Sequence, residues 1–127
     1  MKQDVFTRMK SVWLLLLKGT WQQMGMIVFM EGTYQREWTQ EFTKVRDIVM
    51  ITQLDVISDL YQVKRTVVKE YVFDTLPATQ THEKEQWFAV YNSTTKQLQE
   101  LNNGRECSFY PSKSMMLMGN NAYQKVS

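Results

Sequence analysis

From residue 31 onward the chain is punctuated by turn formers, and this spacing limits the folds open to it more than any other feature. Glu31-Gly32-Thr33, Ile57-Ser58-Asp59, Leu76-Pro77-Ala78, Asn92-Ser93-Thr94, Asn102-Asn103-Gly104, Tyr110-Pro111-Ser112 and Gly119-Asn120-Asn121 recur through the last hundred residues. Short strands joined by such turns form sandwiches or barrels. The segments between them are rich in strand-forming types, so 20–30, 46–56, 60–73, 87–91, 97–101, 106–110, 115–118 and 122–126 are expected as strands. The fold class that follows is all-β: a small antiparallel β-barrel or strongly bent sheet with a short N-terminal helix.

That helix is expected over 4–18, where Val5, Phe6, Met9, Val12, Trp13 and Leu16 recur at helical spacing, Asp4 can cap the start and Gly19 the end. Residues 34–49 fit two patterns. Tyr34, Arg36, Trp38, Gln40 and Phe42 alternate as in a strand, while Tyr34, Trp38, Phe42, Val45 and Val49 also suit a helix; the β-branched run that follows favours strand. Residues 77–85 are polar, hold the only histidine, His82, and are expected as a solvated loop.

A chain of 127 residues buries one core, so 1–127 is a single domain, with the barrel over 19–127. With 43% hydrophobic residues it is far from the profile of a disordered chain. Fifteen Lys and Arg against thirteen Asp and Glu give +2, too balanced for the basic stripe that follows a phosphate backbone, so nucleic acid is not expected as a partner. Residues 1–30 carry Lys2, Arg8, Lys10 and Lys18 against Asp4, which suits an anionic surface. Within that end, 12–17 is too short to span a membrane and marginal as the core of a signal peptide. With Trp13 it reads either as a helix plugging one end of the barrel or as one that docks on a membrane surface or a partner protein. A single cysteine, Cys107, excludes an internal disulfide and leaves the compartment open: cell envelope or secreted if a signal was removed, cytoplasmic otherwise.

Gly19-Thr20-Trp21, placed after the expected helix and opening the first expected strand, resembles the Gly-x-Trp signature of lipocalins and other calycin barrels. The glycine permits a tight turn, and the indole closes one end of the core. The pair of segments 115–118 and 122–126 around Gly119-Asn120-Asn121 is similar to the final hairpin of small lipocalin-like bacterial domains. The resemblance implies that Lys125 lies across the first-strand Trp as a cation–π contact. Unlike larger lipocalins, the chain has no cysteine pair, no helix is expected after the barrel, and Ser58-Asp59-Leu60-Tyr61 only faintly echoes their second motif.

Nucleophilic catalysis needs a base beside Ser or Cys, and His82 stands among Thr, Glu and Lys; one His and one Cys far apart match no metal-ligand spacing. No enzyme activity, cofactor or metal is expected. What stands out is the supply of nine Met, six Phe, six Tyr and four Trp. These either fill the core or line a cavity for an apolar ligand, and both readings bury the same residues. Arg65 falls on the face of Tyr61, Val63 and Val67; turned inward it needs a carboxylate from ligand or protein, and otherwise it faces solvent. The expected function is binding of a small apolar or amphipathic molecule by Trp38, Tyr61, Val63, Arg65, Tyr71 and Trp87. The alternative is a structural or assembly subunit that docks another protein through an aromatic and Met-rich surface.

Overall fold

A computed structural model describes residues 21–73 and 76–127. The helix expected at 4–18, and with it the docking of 12–17, lies outside the described residues.

The described chain opens with a helix, α1 (Trp21–Met30), which corrects the strand expected over 20–30. Val, Ile and Phe in this segment suggested a strand, but its Met and Gln are good helix formers and its inward stripe follows helical spacing. Met30 is fully buried, Met26 and Phe29 pack against the core, and Val28 faces outward. Trp21 therefore belongs to a helix rather than to the first strand, and the Gly-x-Trp comparison loses its structural context.

Eight antiparallel strands follow: β1 (Gly32–Gln40), β2 (Thr43–Asp55), β3 (Leu60–Phe73), β4 (Leu76–Asn92), β5 (Gln97–Glu100), β6 (Glu106–Tyr110), β7 (Met115–Met118) and β8 (Asn121–Lys125). Each pairs with the next, and β8 returns to β1 through Tyr34↔Lys125 and Gln35↔Gln124, closing the barrel. The all-β expectation holds, and closure selects the barrel over the bent sheet. Residues 34–49 form parts of two strands, with the turn between them held by Glu41 at positive φ. The expected loop at 77–85 is instead part of β4, paired with β3 from Thr79 onward, with His82 opposite Val68 and exposed. Its polarity hid it, because neither face of that stretch carries an apolar alternation.

Alternation with period two fills the interior. Val45, Val49 and Ile51 point inward from β2, Tyr61 and Val63 from β3, Cys107 and Phe109 from β6, and Met116 and Met118 from β7. α1 closes this filled end, and its last carbonyls are capped from the barrel. The Tyr34 hydroxyl donates to Phe29 O and Met30 O at 2.8 and 2.9 Å, and Lys125 Nζ donates to Phe29 O and, at 3.0 Å, to Glu31 O. A cation at a helix carboxyl end is favourable.

The first four strands have 9 to 17 residues and the last four only 4 or 5. β4 pairs with β5 only over Ala89–Asn92 in register, and β1 pairs with β8 at two positions. At the end opposite α1, β1–β4 therefore rise beyond the short strands as a curved wall.

Candidate functional site

Where the short strands stop, the interior changes from apolar to charged. Asp47 lies on the inward face of β2 between Val45 and Val49 and is fully buried. A buried carboxylate is tolerated only when hydrogen-bonded and charge-paired. Arg65 from β3 forks onto it, with Nε to Oδ1 at 3.0 Å and Nη2 to Oδ2 at 2.8 Å. Arg36 Nε reaches Oδ2 from β1 at 3.1 Å, and the Tyr123 hydroxyl donates to Oδ2 from β8 at 2.7 Å. Burial pushes the Asp47 pKa upward, but hydrogen bonds from Arg65, Tyr123 and Arg36 and the Arg65 charge outweigh it and hold the group below the usual carboxylate value. The Tyr123 phenol is pushed up to about 12, first by burial and then by its bond to Asp47.

The network continues sideways. Arg65 Nη1 donates to Glu85 Oε1 at 3.2 Å, and Glu85 also accepts from Arg105 Nη1 and Nη2 at 2.8 and 3.3 Å. Arg105 Nε donates to Glu100 Oε2 at 2.7 Å, and the guanidinium lies 3.8 Å from the centre of the Trp87 ring. Hydrogen bonding from Arg105, opposed by partial burial, lowers the Glu85 pKa.

Above this floor is an open cleft of about 420 Å³. β1 contributes Arg36 and Trp38, β3 contributes Arg65, Val67 and Lys69, and β4 contributes Glu83, Lys84 and Glu85. The volume falls within the range typical of small-molecule sites. Among the described residues no cluster of His, Cys, Asp and Glu could hold a metal ion. Cys107 is buried in the core, where burial pushes its thiol up to about 12.

The six residues expected to bind ligand do not share one surface. Trp38 and Arg65 line the cleft. Tyr61, Val63 and Trp87 belong to the packed core below it, and Tyr71 stands further out on β3, half-buried, between Thr43 and Thr79. Arg65 does turn inward, and the carboxylates it meets are the protein's own Asp47 and Glu85. Lys125 makes cation–π contacts over Phe29 at 4.4 Å and Tyr34 at 5.8 Å; the contact expected with Trp21 lies outside the described side chains. Arg36, Asp47 and Glu85 were not singled out from sequence. Their signal is a charged residue within an inward alternation, as in Val45-x-Asp47-x-Val49-x-Ile51.

The closed eight-stranded antiparallel barrel is an architecture that calycins share. Comparison with known protein families, curated proteins and solved structures finds no match to the chain. Among the described residues no helix is long and apolar enough to cross a membrane.

Proposed function

We propose that this protein binds a small amphipathic molecule at the open end of its barrel, without chemical turnover, in the manner of a lipocalin-like carrier. The observation that carries this is the cleft itself, a concave space of about 420 Å³ with Trp38 and Val67 as apolar wall and arginines as floor. At the α1 end Met26, Phe29 and Met30 lie against the core, and the ligand is placed in the mouth at the other end. Titration of the full chain with a fluorescent apolar probe is expected to saturate at one equivalent, and Trp38→Ala to weaken binding. Absence of saturable binding refutes the reading.

A second reading rests on a different surface. Phe88 and Leu101, 48% and 59% exposed, are adjacent on the outside of the barrel, where Leu101 N donates to Phe88 O at 3.1 Å. Such a pair suits docking against another protein and supports the assembly-subunit alternative.

A further inference from the structure

The two arginines in the cleft floor differ in what they leave free. Arg65 uses Nε and both terminal nitrogens on Asp47 and Glu85. Arg36 uses only Nε, on Asp47, and among the described residues its two terminal amino groups meet no acceptor. Its guanidinium carbon lies 4.3 Å from the centre of the Trp38 ring and 5.3 Å from that of Tyr123. Arg36 is thus held by one edge and two ring contacts, while the fork that matches a carboxylate stays open beside the cleft.

The charge count sharpens this. Arg36, Arg65, Lys69 and Lys84 face Glu83, Glu85 and the underlying Asp47, leaving one positive charge, and Arg105 and Glu100 next to them cancel. A single negative charge neutralises the site. A dianion overshoots and meets Glu83 and Glu85.

We propose that the cleft selects a monocarboxylate with an apolar body, its carboxylate paired with the terminal amino groups of Arg36 and its body against Trp38 and Val67. This rests on the binding function above and names its ligand class. Arg36 is already oriented by Asp47 and Trp38, so little side-chain freedom is lost when the ligand pairs with it. Arg65 acts as a positioning residue that holds Asp47, and through it Arg36.

Calorimetric titration of the full chain with 2-naphthoate, its neutral amide and 2-naphthyl phosphate, at neutral pH and low salt, tests this. Naphthoate is expected to bind about tenfold or more tightly than the amide, and more tightly than the phosphate. In Arg36→Gln the ratio of naphthoate to amide affinity should fall to near one. Arg36→Lys keeps the charge beside Asp47 but lacks the fork, so it should retain only part of the ratio; it also serves where the Gln variant fails to fold, as judged by urea midpoint. Equal affinity for naphthoate and amide, or a full ratio retained in Arg36→Lys, overturns carboxylate pairing while leaving the binding function standing. Tighter binding of the phosphate overturns the single-charge match. Binding of none of the three overturns this proposal and the function on which it rests.

Discussion

Asp47→Asn probes the centre of the charged floor. The substitution preserves shape but removes the charge that two arginines share, and replaces one acceptor oxygen with an NH2 group that faces donors. Removing one partner of a buried ion pair typically costs about 3–5 kcal/mol. Asp47 is fully buried, but the Arg36 and Arg65 side chains each retain 24% exposure, so water recovers part of the loss. Arg65 also keeps Glu85. The expected loss is therefore near the lower bound, about 3 kcal/mol, which for this chain length lowers the melting temperature by roughly 12 °C. Urea unfolding followed by tryptophan fluorescence measures it, and a cycle with Arg65→Gln isolates the pair. The pH dependence adds an independent check. The folded-state pKa of Asp47 is lowered, so its contribution is present above the unfolded value of about 3.9 and is lost as pH falls through the folded value. Acidification below about pH 4 should narrow the gap between wild type and Asp47→Asn. A loss under about 1 kcal/mol at pH 7, the scale of a surface pair, would refute the reasoning.

Gly32→Ala should destabilise the seam between α1, β1 and β8. Gly32 has φ +141°, and a Cβ there would lie 2.2 Å from Ser127 O, the acceptor for Thr33 N. A loss of about 2 kcal/mol is expected, and an unchanged urea midpoint would contradict the backbone geometry. Cys107, with its thiol raised by burial, should resist Ellman's reagent at pH 8 in native protein and react on unfolding. Rapid native labelling would show that β6 is not packed as described.

The strands most legible in the sequence are those whose burial alternates against one filled face. β3, β6 and β7 fall where their patterns place them, because Tyr61, Val63, Val67 and Tyr71, then Cys107 and Phe109, then Met116 and Met118 share one alternating face between turn formers. Two segments were misjudged because a tertiary partner decides them. Residues 21–30 are apolar on more than one face, so composition alone does not separate a core helix from a buried strand; α1 is fixed by Tyr34 and Lys125, which cap its last carbonyls from β1 and β8. Residues 77–85 have little apolar content, and their strand is supported by backbone pairing to β3. The site was half legible. Trp38 and Arg65 could be chosen by type, but which arginine stays open to a ligand depends on where Asp47 and Glu85 lie across the barrel, a long-range arrangement that neighbouring residues do not encode.

Unequal strand length links the fold to the site. Where all eight strands are present, side chains meet across the interior and the core is apolar; above that level only β1–β4 continue, and water enters from the opposite side. Arginine suits this boundary, since its stem packs on the core while its head reaches solvent. The charges there are held from six directions: Arg36 on β1, Asp47 on β2, Arg65 on β3, Glu85 on β4, Arg105 just before β6 and Tyr123 on β8. Each tie restricts another, so the floor is set before a ligand arrives. Among the described residues, the arginine nitrogens that this network leaves without an acceptor are the terminal amino groups of Arg36, the donors that the proposed carboxylate would engage.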